Sequence, residues 1–233
     1  MTQVRRSELD IETVTKAYDR WAPVYDLVFG AVFKEGRSVA VEAAERVGGR
    51  ILEVGVGTGI SLPLYSGRNE IYGIDISEGM LLKAKKRVAE LGLANVRDLL
   101  VMDAEHLNFP DNHFDVVVAQ YVISTAPNPE AVLDEFARVL KPGGEIVVVT
   151  RVGAEAGLRR SLEKWFAPAA RKLGWRTEFS FELYRRWANR AAAIELIERR
   201  AMPPFGHFSL IRFGKTGASS TARSDAAPME RTG

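Results

Sequence analysis

Three acidic residues stand at the ends of three successive apolar runs, and a glycine-rich turn follows the first of them. Glu53, Asp75 and Asp103 are these acids, and Gly55–Gly59 is the turn. Because the carboxyl ends of parallel strands meet at one edge of a sheet, we expect the three carboxylates to line one pocket. A carboxylate attracts an ammonium group and accepts hydrogen bonds from ribose hydroxyls or an adenine amine. The pattern predicts a site for a nucleoside that carries an amino acid, with Glu53 at the ammonium, Asp75 at the ribose and Asp103 at the base.

The spacing of the glycines argues against a dinucleotide. A dinucleotide-binding turn has glycines at relative positions one, three and six. Here Gly55, Gly57 and Gly59 take positions one, three and five, and Ile60 takes the sixth. The acid at Glu53 would also lie badly beside a pyrophosphate, because like charges repel. The predicted ligand is therefore S-adenosylmethionine, a methyl donor. NAD binding and three ordinary surface acids are the less favoured alternatives.

The composition is that of a globular chain without cysteine. Its 233 residues are 46% hydrophobic and 27% charged, which suits one domain with a substantial core. The absence of cysteine and the three scattered histidines predict neither a disulfide framework nor a metal site. The N-terminus has no secretory-signal pattern, and no segment reaches the ~18 uninterrupted apolar residues of a membrane span. We expect a cytoplasmic protein.

Strand and helix patterns alternate along most of the chain. Near-continuous apolar runs such as Val116–Val118 and Ile146–Val149 are typical of strands buried on both faces of a parallel sheet. Ser77 is a good N-cap for one helix, and Gly92 ends it. The predicted strands are 50–54, 70–75, 96–102, 114–120, 144–150, Ile194–Arg199 and Phe208–Phe213; the predicted helices are 8–21, 36–47, 60–66, 77–91, 129–139, 154–175 and 180–191.

These motifs resemble those of the class I S-adenosylmethionine-dependent methyltransferases. Glu53–Gly59 matches the first motif of that family, Asp103–Asp111 its adenine-side motif, and Leu140–Gly144 the turn before strand five. The resemblance covers about residues 15–213. It implies an α/β Rossmann-like fold, with a seven-stranded, mostly parallel sheet, an antiparallel last strand and helices on both faces. From the pattern and the resemblance together, the predicted cofactor-binding residues are Tyr18, Glu53, Gly55, Gly57, Gly59, Asp75, Ile76, Met80, Asp103, Ala104 and Gln120.

Both ends of the chain bear on the methyl acceptor. The run after strand 114–120 lacks the Asn/Asp-Pro-Pro-aromatic motif of methyltransferases that act on DNA amines, so no nucleic-acid partner is expected. Tyr18–Asp26 resembles the lid of the ubiquinone and menaquinone C-methyltransferases. Arg200–Phe213 resembles the bacterial phosphatidylethanolamine N-methyltransferases, in the branch similar to the quinone enzymes. This second resemblance implies a phospholipid substrate, methylated in up to three steps toward phosphatidylcholine. A quinone-ring or small-amine methyltransferase is the alternative, and a non-catalytic membrane-binding module is a remote one.

A basic and aromatic stretch agrees with a membrane lipid as substrate. In helix 154–175, Arg159, Arg160 and Lys164 lie away from the apolar face that carries Trp165. Such a helix fits the plane of an anionic bilayer, where each cation contributes on the order of 1 kcal/mol. The alternative is a lid helix that packs its apolar face on the sheet. We expect peripheral binding to the inner face of the cell membrane.

The domain organisation follows from these patterns. Residues 1–34 are predicted to form an amphipathic lid or membrane segment, in which residues 8–33 touch the anionic membrane. Residues 35–213 should form the methyltransferase domain, with a helical insertion at 151–191. Residues 214–233 are small, polar and without pattern, so we expect disorder there.

The chemistry expected is a direct in-line transfer of a sulfonium methyl to the headgroup nitrogen, driven mostly by alignment and desolvation. Tyr25 is the predicted catalytic residue, because the face of an aromatic lid suits both the sulfonium and a quaternary ammonium. Tyr121 and Ser124 are predicted to bind the acceptor, and Arg151 and His207 its phosphate. His207 is alternatively a base or a structural residue. The amine must lose a proton before it attacks, and the sequence identifies no certain general base.

Overall fold

Seven strands form one sheet with helices on both faces. The computed structural model describes residues 33–151, 180–191, 193–202 and 208–217. The strands are β1 (Arg50–Val54), β2 (Glu70–Asp75), β3 (Val96–Val101), β4 (Phe114–Gln120), β5 (Leu140–Arg151), β6 (Ile194–Met202) and β7 (Phe208–Lys215). The helices are α1 (Lys34–Val47), α2 (Glu78–Leu91), α3 (Pro129–Val139) and α4 (Phe181–Arg190), with a 3-10 helix at Leu62–Leu64.

The strand order is β3-β2-β1-β4-β5-β7-β6. Strands β1 to β5 pair in parallel, and β7 runs antiparallel to both β5 and β6. The predicted mostly parallel sheet with an antiparallel last strand is therefore confirmed. The chain moves outward from β1 to β3 and then returns to place β4 on the other side of β1. This reversal leaves a crevice beyond the carboxyl ends of β1 and β4, the usual binding position in such sheets.

Strand β4 shows why the strands are almost continuously apolar. Val116 and Val118 belong to the core on the side of α1 and α2, whereas Val117 and Ala119 belong to the core on the side of α3 and α4. All four are fully buried. Because alternate side chains of a strand point to opposite faces, a sheet covered on both sides needs an apolar residue at every position.

The element bounds agree with the predicted ones at β1, β2, β4 and α3 and differ elsewhere. The predicted helix 60–66 is wrong, since only the short 3-10 turn Leu62–Leu64 forms there. Strand β5 starts at Leu140, and its pairing with β4 then jumps to Glu145. The four residues between them bulge out, with Gly143 at φ 83°, so the expected turn lies inside the strand.

The expected disorder from residue 214 is wrong at its first two positions. Strand β7 continues through Gly214 to Lys215. The Lys215 ammonium donates hydrogen bonds to the carbonyl oxygens of Ala137 and Leu140 and to Asn112 Oδ1, each at 2.8 Å. A cation that binds the last carbonyls of α3 is favourable there and holds the end of β7 in place. Residues 218–233 lie outside the described ranges, as do residues 1–32 with the predicted helix 8–21 and the whole of the predicted helix 154–175. No helix within the described ranges is long and apolar enough to span a membrane.

The loop after β3 is fastened to α3 by one arginine. Arg138 donates to the carbonyl oxygens of Leu107 at 2.7 Å and Phe109 at 2.8 Å, and to Asp111 Oδ1 at 2.8 Å. It also pairs with Glu135, which accepts the backbone N–H of Leu107 at 2.7 Å. Since this loop begins with the predicted adenine-side acid, the contacts position one wall of the crevice.

Replacing Arg138 by Met should lower the free energy of unfolding by about 1–3 kcal/mol, because partly buried acceptors lose their donor. Urea unfolding measures the change. Arg97→Met is the matched control, since Arg97 pairs with Glu70 on the exposed surface and should contribute less than about 1 kcal/mol. A loss for Arg138→Met no larger than the control's would show that the loop holds its place without this arginine.

Candidate active site

A cavity lies at the carboxyl ends of β1, β2 and β4, where the strand order reverses. The structure brings most of the predicted cofactor-binding residues into its wall, together with one predicted acceptor residue. These are Glu53, Gly55, Gly57, Asp75, Ile76, Met80, Asp103, Ala104, Gln120 and Tyr121.

Other predicted site residues are not in the described wall of this cavity. Gly59 lies against Leu62 and Ala84, where a Cβ atom would come within 2.9–3.1 Å of their side chains. Glycine is therefore needed at that position for packing on α2. Ser124 and Arg151 are described but do not line the cavity. Tyr18, Tyr25 and His207 lie outside the described residues.

The turn after β1 is shaped by its glycines and by β2. The backbone N–H groups of Gly55 and Val56 donate to the carbonyl oxygen of Ile74 at 2.8 and 3.0 Å, and Gly57 N–H donates to Asp75 Oδ2 at 2.8 Å. Gly57 has φ 56°, and no other atom lies within 4 Å of where its Cβ would be. The left-handed backbone, rather than crowding, therefore requires glycine there, and the space beside it stays open toward the cavity.

Glu53 lies at the base of the cavity and is only 2% exposed. Its Oε1 accepts hydrogen bonds from the Ser61 hydroxyl and from Gln120 Nε2, the latter at 3.2 Å. Its Oε2 is buried and, like the nearby Tyr65 hydroxyl, has no partner within hydrogen-bond distance among the described residues. Burial raises the pKa of Glu53 to about 7, although the hydroxyls of Ser61 and Tyr65 and the charge of Arg37 act in the opposite direction.

The methionine end of S-adenosylmethionine fits this part of the cavity. Gln120 Oε1 is, like Glu53 Oε2, a buried acceptor without a partner in the described residues. Buried acceptors of this kind normally have a donor, and an ammonium group carries three N–H donors and a compensating charge. The guanidinium of Arg37, whose residue is 9% exposed, lines the same cavity. An anion and a cation in one small space match the opposite charges of an α-amino acid.

The other two acids are oriented by backbone N–H groups. Asp75 Oδ1 accepts from Ser77 N–H at 2.9 Å, and Ser77 in turn caps α2 by accepting from Met80 N–H at 3.2 Å. Asp103 Oδ1 accepts from Glu105 N–H at 2.9 Å, and its side chain is 32% exposed. Each carboxylate is fixed in direction yet keeps lone pairs for further donors, as hydrogen bonds from a ribose or an adenine amine require.

Arg37 and Ser61 are cavity residues that the sequence interpretation missed. A signal for Arg37 existed, because it shares the spacing of Ala40 and Ala44 and so falls on the buried face of the predicted helix 36–47. A buried arginine on such a face needs an anionic partner. Ser61 gave no comparable signal, since it lay in the segment predicted as a helix.

Comparisons with known proteins agree with this geometry. A family model described as a methyltransferase domain matches residues 52–148, which contain most of β1, all of β2 to β4 and most of β5. A phosphatidylethanolamine N-methyltransferase from Cereibacter sphaeroides is 42% identical over 205 residues, which cover 88% of this chain and 98% of that protein.

Two further proteins extend the comparison. A ubiquinone/menaquinone biosynthesis C-methyltransferase from Pseudomonas fluorescens is 31% identical over 147 residues, which cover 59% of this chain and 57% of that protein. A solved structure from Thermotoga maritima, described as a possible histamine N-methyltransferase, aligns with a TM-score of 0.64 at 25% identity. It covers 87% of this chain and 99% of that one.

Without a ligand, replacing Glu53 by Gln should stabilise the protein more at pH 8 than at pH 5. A folded-state pKa of about 7, above the ordinary value of 4.5, means that the folded protein holds this proton more tightly. The stability that this tighter proton binding adds to the folded protein is fully present below pH 4.5 and is lost as the pH rises through 7. Glutamine has no such loss, and the gain at pH 8 should be on the order of 3 kcal/mol. Thermal unfolding at both pH values measures it.

Glu90→Gln is the control for this experiment, since the Glu90 side chain is 62% exposed on α2 and the substitution should have a small effect at both pH values. An equal shift of the unfolding temperature by Glu53→Gln at pH 5 and pH 8 would contradict the prediction.

Proposed function

The chain belongs to the class I S-adenosylmethionine-dependent methyltransferase family, and from this premise we propose that it methylates phosphatidylethanolamine at a membrane surface. The mono- and dimethylated lipids re-enter as acceptors on the way to phosphatidylcholine. The observation that carries this choice of acceptor is the 42% identity to the Cereibacter sphaeroides enzyme over 98% of that enzyme's length. The similarity to quinone methyltransferases is weaker and spans less of the chain, which makes a quinone acceptor the rival.

Different residues of the cavity bind different parts of the cofactor. Glu53 and Gln120 hold the methionine ammonium through their unpartnered buried oxygens, and Arg37 faces the carboxylate. Asp75 accepts from the ribose hydroxyls and Asp103 from the adenine amine. When bound, S-adenosylmethionine supplies an electrophilic methyl group on a positively charged sulfur.

The protein's own part in the reaction is to position the acceptor and to exclude water. An amine attacks only through a lone pair, so the headgroup must enter as a free amine or lose its proton at the site. A buried pocket removes water from both reactants, and alignment of the nitrogen with the methyl group supplies most of the acceleration. The proposed lid tyrosines Tyr18 and Tyr25 belong to the segment outside the described residues and would close this space.

The sheet register supports a phosphate site beside the last strand. Arg151 at the end of β5 is paired with Phe208 in β7, and Phe208 directly follows His207 in the chain. Phe208, the next residue in the chain after His207, thus lies beside Arg151, and His207 itself lies outside the described residues. A guanidinium with a second donor next to it suits a lipid phosphate. Ser124, in the turn after β4, is the further proposed acceptor residue.

Incubation with labelled S-adenosylmethionine and vesicles that contain phosphatidylethanolamine should place label in phospholipid. Thin-layer separation should resolve mono-, di- and trimethylated products. Asp103→Asn should lower incorporation several-fold at limiting cofactor, because one good hydrogen bond to the adenine is weakened. The matched control is Asp98→Asn, an exposed acid on β3 outside the cavity wall, which should leave incorporation unchanged. Label found in an added quinone precursor and absent from phospholipid would reject the lipid assignment.

Attachment to anionic vesicles should depend on the basic residues of segment 154–175. Reversal of Arg159, Arg160 and Lys164 to Glu should lower the vesicle-bound fraction at least tenfold, since each cation contributes about 1 kcal/mol near an anionic surface. Co-sedimentation measures the fraction.

A triple reversal elsewhere controls for net charge in the vesicle experiment. Lys85, Lys86 and Arg97 are exposed on α2 and β3, and their reversal to Glu makes the same change in total charge. Equal losses in the two triple variants would show that the attraction is a property of the whole protein and that segment 154–175 has no special part in it.

A further inference from the structure

Tyr121 has a backbone conformation that a large aromatic residue rarely adopts. It follows β4 directly and has φ 64°, in the left-handed region. Such a conformation costs on the order of 1–3 kcal/mol and persists only where the surroundings impose it. Its N–H donates to the Val149 carbonyl oxygen at 2.7 Å, and a Cβ atom at Gly36 in α1 would overlap its hydroxyl. The fold therefore holds this ring in one place at an unfavourable backbone angle.

Two phenylalanines complete an aromatic wall with Tyr121. The ring centroids of Tyr121 and Phe33 are 4.2 Å apart, and those of Tyr121 and Phe208 are 5.4 Å apart in an edge-on arrangement. Phe33 and Phe208 also meet, with centroids 5.6 Å apart. Phe33 and Tyr121 are the aromatic side chains in the described part of the cavity wall, and Phe208 supports them from behind.

The aromatic wall of Phe33, Tyr121 and Phe208 stands next to the methionine end of the cavity. Tyr121 directly follows Gln120, whose amide donates to Glu53 at 3.2 Å. Phe33 and Tyr121 therefore line the same cavity as the two residues proposed to hold the methionine end of the cofactor, and Tyr121 is itself a predicted acceptor residue. The face of an aromatic ring attracts an alkylated ammonium, which has lost N–H donors and cannot be held by as many hydrogen bonds.

We propose that the aromatic wall binds the methylated nitrogen of the partly methylated lipids and so favours the later methyl transfers over the first. This inference rests on the proposed function. In each transfer the nitrogen lone pair forms the new N–C bond while the S–C bond breaks, and its electron pair stays on sulfur. The positive charge passes to nitrogen each time. After the first two transfers this nitrogen still has N–H bonds and releases a proton to solvent, whereas after the third it has none.

The contribution of the wall therefore grows with the number of methyl groups on the nitrogen. Any attraction of the same rings for the sulfonium of the cofactor is common to all three transfers. It cancels in the ratio of kcat/KM for the dimethylated lipid to kcat/KM for phosphatidylethanolamine. A change that merely loosens the fold or weakens cofactor binding lowers both values together and leaves the ratio unchanged.

The test measures this ratio for the full-length protein with vesicles that contain one acceptor lipid at a time. Phe33→Leu and Tyr121→Leu should each lower the ratio about 2- to 30-fold, the range expected for loss of a cation–π contact. Tyr121→Phe keeps the ring and should keep the ratio. Phe181→Leu is the matched control, because Phe181, on α4, packs against Arg199 of β6 and lies outside the cavity wall. Phe33→Leu does not change Tyr121, the residue with the left-handed backbone. This variant is therefore a sufficient test if Tyr121→Leu does not fold.

The outcomes separate this inference from the proposed function. If the wild-type protein methylates both lipids and the ring-removing variants keep the wild-type ratio, the inference is wrong and the function stands. A fall of the ratio that Tyr121→Phe shares equally with Tyr121→Leu would assign the effect to the hydroxyl and also overturn it. If the wild-type protein labels neither lipid, the proposed function fails, and the inference fails with it.

Discussion

The desolvated carboxylate of Glu53 constrains the whole site. A carboxylate with 2% exposure and one oxygen without a hydrogen-bond partner in the described residues is costly to ionise, and burial raises the pKa of Glu53 accordingly. Parallel pairing of β1 with β4 sets Glu53 beside Val118, so Gln120 follows two residues later on the same side of the sheet. The same register thus supplies both the acid and the amide that bonds to it. A cation bound beside Glu53 offsets the free-energy cost of burying its charge. The site therefore favours an ammonium group over a neutral one.

The start of α1 provides the second fixed frame of the site. Phe33, Gly36 and Arg37 lie within one helical turn. Phe33 and Arg37 contribute an aromatic ring and a buried cation to the cavity wall, and Gly36 leaves space for the Tyr121 hydroxyl. Because α1 packs on β4 and β5 through the core that contains Ala40 and Ala44, these three residues are held in a fixed position relative to Gln120 and Tyr121 at the end of β4. Strain at Tyr121 is tolerable only in such a frame, since a residue free to relax would leave the left-handed region.

The sequence predicted the elements whose structure depends on local pattern and missed those decided by distant contacts. Strands β1, β2 and β4 have the predicted bounds because short, mostly apolar runs that end at a turn or at a polar residue are typical of strands in a covered parallel sheet. The helix expected at 60–66 does not form, since Gly59 must pack on Ala84 and Ser61 turns its hydroxyl to Glu53. The end of β7 was missed because Lys215 is held by carbonyls of α3 about 75 residues away in sequence, which no local pattern reports. The three acids were predicted together because strand ends converge. Arg37 was not predicted, although it falls on the buried face of the predicted helix, because its place in the cavity depends on how α1 lies over β4 and β5.

The two similarities extend over different parts of the chain. The general methyltransferase model covers residues 52–148, which hold all three acids and the glycine turn, whereas the lipid-methylating relative matches 88% of the chain. What the longer match adds lies outside residues 52–148. In that part of the chain, Phe33 and Arg37 line the cavity, and Arg151 at the end of β5 pairs with Phe208. The three acids and the glycine turn thus come from the strand ends within residues 52–148, whereas Phe33 and Arg37 bring residues from outside that range into the same cavity wall. Tyr121 connects the two regions: it directly follows the shared strand β4, and its ring packs on Phe33 and Phe208, which lie outside residues 52–148.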